Sequence, residues 1–116
     1  AAKKLPDDAL VVRGGMNTPE SFAKGSGVSL DPNGKLQGVS VNSAPGQTVE
    51  QLSQGVPHNK VGVTTVGRVR SAGGDVTPSP TRGNPHHCTM CGVTPEQASG
   101  MMKVIRNPAK KKPEEP

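Results

Sequence analysis

Apolar residues along this chain come in short runs punctuated by glycine and proline, never in the long stripes of a helical bundle. Ala9-Leu10-Val11-Val12-Arg13 is a compact apolar run stopped by Gly14-Gly15, which predicts a strand. In Thr18-Pro19-Glu20-Ser21-Phe22 a threonine N-cap, a proline at the first helical position and an early carboxylate predict a short helix closing near Gly25. Val28-Ser29-Leu30 and the stretch from Lys35 to Ser43 flank Asp31-Pro32-Asn33-Gly34, a turn sequence with proline early and glycine late. That is a hairpin, with Val39 and Val41 on one face of its second arm and Ser40 and Asn42 on the other.

Thr48-Val49-Glu50-Gln51 reads as a capping box opening a helix that reaches about Gln54. Val61-Gly62-Val63-Thr64 is a short strand. Thr65 to Ala72 is helical, with Val66 and Val69 on one side and Gly73-Gly74 as the stop. Asp75-Val76-Thr77 makes a brief strand before the loop from Pro78 to Pro85, and the segment after it is extended. A second capping box, Thr94-Pro95-Glu96-Gln97, opens a helix carrying Ala98, Met101, Met102 and Ile105 and ending by Asn107-Pro108. Strands and short helices alternating without the spacing of βαβ units predict an α+β fold, with a small antiparallel or mixed sheet and three to four short helices, rich in loops. The predicted organisation is a flexible segment over 1–8, a single domain over 9–107 and a disordered charged tail over 108–116.

Composition narrows this picture. Phe22 is the one aromatic residue and the hydrophobic fraction is 30%, so the core is built from Val, Leu, Ile, Met and Ala. A net charge of +5, its positive residues scattered, suits a polyanion or a protein as partner and equally suits ordinary surface charge. Modules that read single strands by stacking bases on exposed aromatic rings are excluded. No run reaches the length of a membrane span, and the first residues, Ala1-Ala2-Lys3-Lys4-Leu5-Pro6, have no apolar signal core. The expectation is a monomer that is cytoplasmic or secreted by a signal-less route.

Candidate chemistry concentrates in His86-His87-Cys88-Thr89-Met90-Cys91, which holds both cysteines and two of the three histidines. Three readings compete with an inert loop. A CxxC redox pair wants a helix start, and here the predicted cap at Thr94 comes several residues later. A zinc ion would take His87, Cys88 and Cys91, with His58 or a carboxylate as the remote fourth ligand. Neighbouring histidines on an extended segment diverge, so only one of His86 and His87 serves a given pocket. The third reading uses that histidine as an acid–base group with Arg13, Arg68 or Arg82 gripping phosphate. The nine carboxylates never cluster, which argues against a glycosidase-type pair, and no phosphate-binding glycine loop or GxSxG elbow is present.

Four stretches carry a resemblance: Val12-Arg13-Gly14-Gly15, the run from Gly34 to Ser43, the run from Gly62 to Gly67, and Asn84-Pro85-His86-His87-Cys88-Thr89. Together they resemble a family of small uncharacterised bacterial proteins over most of residues 5–108, which implies a bacterial source and brings no site residues. A second resemblance is to ADP-ribosyltransferase-type toxins, which place an arginine or histidine on a first strand, a Ser/Thr-rich strand in the middle and a third polar residue late. Arg13, Ser40 with Ser43, and His87 fall in that order. The glutamate of the third position and the aromatic that stacks on nicotinamide are missing. The sequence therefore points first to a non-enzymatic binding or interaction module. The alternative is an effector-like enzyme acting on nucleotide or nucleic acid, with Arg13, Ser40 and His87 as its catalytic residues and no cofactor expected apart from the zinc considered above.

Overall fold

Alternation along the strands sorts the apolar runs onto two faces of one sheet in the computed structural model, which describes residues 5–25 and 28–109. The elements are β1 (Leu10–Gly14), α1 (Pro19–Ala23), β2 (Ser29–Leu30), β3 (Leu36–Gln37), β4 (Val39–Ser43) and α2 (Val49–Leu52). They continue with β5 (Lys60–Thr65), α3 (Val66–Ser71), β6 (Asp75–Pro78), β7 (His87–Cys91), α4 (Pro95–Met101) and β8 (Lys103–Arg106). Six strands form a sheet in the order β6-β7-β4-β1-β5-β8, and every pairing in it is antiparallel. The architecture is α+β with four short helices among the described residues.

One face of the sheet carries Val11, Val39, Val41, Val76, Cys88 and Met90, which pack with Phe22 of α1, Val66 and Val69 of α3 and Ala98 of α4 into the larger core. The other face buries Val12 and Val61 against Leu52 of α2 in a smaller cluster. This second cover reaches only one half of the sheet. Over β4, β7 and β6 the same face is polar, with Ser40 and Thr77 exposed and Asn42, His87 and Thr89 half-buried.

Local chemistry sets the helix starts as the sequence predicts. Thr18, Thr48, Thr65 and Thr94 each accept from a backbone N–H three residues on, and full capping boxes close at Thr48–Gln51 and Thr94–Gln97. Two predicted elements come out differently. The second hairpin arm is broken at Gly38, which takes φ +81. Its first piece, β3, pairs with β2 in a two-stranded sheet, while β4 turns into the centre of the main sheet. The last helix stops at Met101 instead of running to Asn107. Met102 is already extended, and Val104 and Ile105 pair with Gly62 and Val61 as strand β8. A β-branched pair beside an open strand edge gains more from that ladder than from another helical turn.

At the amino end Leu5 lies in the larger core. Asp7 accepts from Gly67 N through its carbonyl at 2.8 Å and from the Arg70 guanidinium through its carboxylate at 2.6 Å. Residues 1–4 of the predicted flexible segment and 110–116 of the predicted tail lie outside the described residues. No helix among those described is long and apolar enough to cross a membrane.

Candidate functional site

The central ladder between β1 and β4 runs through Val11–Ser43 and Val12–Asn42 and stops there. Beyond it Arg13 and Gly14 of β1 and Ser40 and Val41 of β4 line a depression of about 190 Å³, completed by Val56, Pro57, His58 and His87. A second depression of about 390 Å³ adjoins it, lined by Leu52, Gly55, Asn84, Pro85 and His86 among others. The two share Asn42, Val56 and Pro57 and so make one cleft. All three histidines of the chain border it.

Side-chain amides hold the cleft walls. Asn42 donates to the Leu52 carbonyl at 2.8 Å and accepts from the Asn84 amide at 2.7 Å, tying the end of α2 and the β6–β7 loop to the middle of the sheet. Asn84 in turn accepts from the His86 N–H at 3.0 Å. On the other wall fully buried Asn107 donates to the carbonyls of His58 at 2.9 Å and Val56 at 3.3 Å. Gly14 completes that wall by lacking a side chain: a Cβ there would run into the His58 ring and lie 2.8 Å from Val56. The imidazole of His58 thus lies directly on the β1 backbone.

His87 is oriented by its neighbours. Its Nδ1 lies 2.9 Å from the backbone carbonyl oxygen of Ser79, which can only accept, so the tautomer that satisfies this contact carries its proton on Nδ1. The Ser79 hydroxyl lies 2.9 Å from the same nitrogen and 2.8 Å from the Thr89 hydroxyl, extending the chain of hydrogen bonds along the sheet face. In that neutral tautomer the lone pair belongs to Nε2. Ser40 pairs with Thr89 in the ladder and Asn42 with His87, which sets Ser40 diagonally across from His87 on the same face.

Arg13 borders the depression from beneath. Alternation sends its side chain to the Val11 face, and its guanidinium stacks on the Phe22 ring at 4.2 Å from the centroid. It donates to the Asn17 side-chain oxygen at 3.0 Å, to the Ser21 hydroxyl at 3.0 Å and to the Ser21 carbonyl at 3.1 Å. All these partners are neutral, and no carboxylate pairs with Arg13 among the described residues. Burial pulls its pKa below the ordinary arginine value, and an arginine still keeps its charge. Asn17 sits in the left-handed region at φ 57 and hydrogen-bonds back to the carbonyls of Arg13 and Gly15, fixing the guanidinium's surroundings.

The residues singled out from sequence are thus only partly brought together. Arg13, Ser40 and His87 border one depression, with the guanidinium on the opposite side of the sheet from the other two. Ser43 lies on the core face, buried and with its hydroxyl unpartnered, away from Ser40. The metal set His87, Cys88 and Cys91 does not converge. Cys88 points into the core and its thiol donates to the Ser43 carbonyl at 3.3 Å, while His87 and Cys91 stand on the opposite strand face. Both cysteines are free, and no three His, Cys, Asp or Glu side chains among the described residues come close enough to hold a metal ion. Arg68 and Arg82 lie outside the cleft lining.

Sequence reasoning used His58 only as a remote zinc ligand and passed over Asn42. The one local signal was Gly14 at the end of a strand, which marks a close backbone approach without saying what approaches. No family model, curated protein or solved structure matches the chain.

Proposed function

We propose that this domain is a binding module for an anionic ligand of the nucleotide class, held in the cleft between the α2–β5 loop and the β6–β7 loop. One observation carries the reading: three histidines border the cleft above the unneutralised Arg13, and no Asp or Glu is among its lining residues. A half-buried cation without a counter-ion projects a field that strengthens in a low-dielectric wall and favours a negative guest. Neutral donors and acceptors at Asn42, Ser40 and the imidazoles suit ribose hydroxyls and phosphate oxygens. With Phe22 buried, the cleft offers a base no ring larger than an imidazole, so affinity comes mainly from the sugar–phosphate portion and base preference is weak.

Isothermal titration with adenosine diphosphate, with inorganic phosphate and with a short oligonucleotide tests this. Binding weakens as salt rises; His87→Gln lowers affinity about tenfold, the scale of one charge-assisted contact, and Arg13→Gln lowers it a few-fold, because the guanidinium acts through the sheet by its field and not by contact. No binding of any of the three probes at low salt rejects the proposal.

A further inference from the structure

We infer that the cleft also cleaves RNA, with His87 and His58 as its acid–base pair; this rests on the nucleotide-class reading of the same site. Two imidazoles line the 190 Å³ depression from opposite walls, His87 from β7 and His58 from the loop before β5. They differ in how they are held. The Ser79 carbonyl, 2.9 Å from His87 Nδ1, favours the tautomer protonated there, in which Nε2 is the proton acceptor. His58 is exposed and lies on Gly14, and its ring has no hydrogen-bond partner among the described residues, so its nitrogens are left for a substrate. Arg13 adds a positive charge under the floor, where charge grows on the phosphorus oxygens as a fifth bond forms.

This set suits transesterification at phosphorus by an internal nucleophile, and the 2′-hydroxyl of RNA is that nucleophile. His87 Nε2 takes the proton of the 2′-hydroxyl as O2′ bonds to phosphorus. The bond from phosphorus to O5′ breaks, and protonated His58 gives its proton to the departing O5′. The products are a 2′,3′-cyclic phosphate and a free 5′-hydroxyl. The proton gained by His87 and the one lost by His58 are restored through solvent, and no co-reactant is consumed. The joined second depression, bordered by His86 and Asn84, gives room for the chain to continue past the scissile phosphate.

The experiment pairs a labelled oligoribonucleotide with the same oligomer carrying 2′-deoxyribose at every position. The expected result is cleavage of the ribo form to products ending in cyclic phosphate, read by mass, with the deoxy form bound and intact. His87→Gln and His58→Gln each slow cleavage about 10²–10⁴-fold, the usual contribution of a positioned acid or base. Both variants still bind the deoxy oligomer, His87→Gln about tenfold more weakly, so a loss of cleavage measured at saturating oligomer separates lost chemistry from lost binding or a lost fold; His87→Asn is the second variant if Gln disturbs the strand. Deoxy oligomer bound with the ribo form left intact overturns the cleavage inference and leaves the binding reading standing. Failure to bind either oligomer overturns both. Cleavage that persists undiminished in both histidine variants overturns the assignment of the pair.

Discussion

The side-chain amide of Asn84 donates to that of Asn42 at 2.7 Å, and with the Ser43 N–H to the His86 carbonyl at 3.0 Å this bond joins the β6–β7 loop to the sheet beneath the cleft. Because Asn42 spends its own N–H on the Leu52 carbonyl, it holds both cleft walls at once. Asn42→Ala removes both bonds and leaves the Asn84 amide and the Leu52 carbonyl without these partners. The expected cost is about 1–3 kcal/mol, the penalty for a half-buried polar group losing its partner. Chemical denaturation measures it. Amide hydrogen exchange should rise in residues 53–58 and 79–86 together, and a rise in only one of the two loops would contradict the bridging role.

Arg13 depends on a glycine across the sheet. A Cβ on Gly62 would lie 2.5 Å from the Asn17 amide nitrogen and 2.8 Å from its side-chain carbon, so Gly62→Ala displaces Asn17 and with it the acceptor that orients Arg13. Overpacking of this kind costs about 1–3 kcal/mol. Gly34→Ala is the control for a glycine in open space: it is strained by φ +79 but meets nothing within 4 Å. Ligand affinity should fall in Gly62→Ala and hold in Gly34→Ala.

Much of the fold is legible in the sequence because it is written in local chemistry. Four threonines start four helices through bonds no longer than three residues, and Gly73 at φ +98 stops α3 where the glycine pair predicts. What fails is decided at long range. Residues 103–106 become a strand because β5 offers an unpaired edge, and nothing near Ile105 records that. The site suffers the same way. Arg13 is an obvious phosphate ligand until one knows that Val11 faces the helices, since residues two apart share a face. Pairing Gly14 with His58, 44 positions apart in sequence, needs the folded chain. One inference was open without it. Cysteines three apart on any extended segment point to opposite faces, which already separates Cys88 from Cys91.

That separation gives a chemical prediction. Burial raises the Cys88 thiol above its ordinary pKa, outweighing opposing contacts from the Ser43 and Ser79 backbone. In the native protein Cys91 is therefore alkylated while Cys88 is protected, and mild oxidation forms no bond between them. Mass spectrometry after iodoacetamide treatment distinguishes the two. The linkage sign follows: the unfolded chain loses the thiol proton first, so the native state is disfavoured as pH climbs past about 8.5. Cys88→Ala should make that decline in stability shallower, and an unchanged slope would count against a buried neutral thiol.

Phe22 is the one large ring in the core and is fully buried beneath Arg13. Phe22→Ala should cost about 3–5 kcal/mol from lost burial and the cavity left behind, a large share of the stability of a domain this small. Met16, 57% exposed, makes the contrast, and Met16→Ser should stay within about 0.5 kcal/mol. If both substitutions cost the same in urea denaturation, the larger core is not where the stability resides.

Gly14 separates the position of His58 from the stability of the sheet. A Cβ there meets the His58 ring and Val56, both side chains of a loop that can shift, so the strand itself tolerates the change. Gly14→Ala should lower stability by about 1 kcal/mol at most, since a strand gains from alanine's smaller backbone freedom part of what the displaced loop loses. The imidazole, pushed off β1, leaves the wall of the cleft although every cleft residue is still present. Affinity for the deoxy oligomer should fall only a few-fold, while cleavage of the ribo form falls as far as in His58→Gln. Adding His58→Gln to Gly14→Ala should then change the rate little further, because residues acting through one another are not additive. A double variant that loses the product of the two single effects would show that Gly14 acts on the site by some route other than His58.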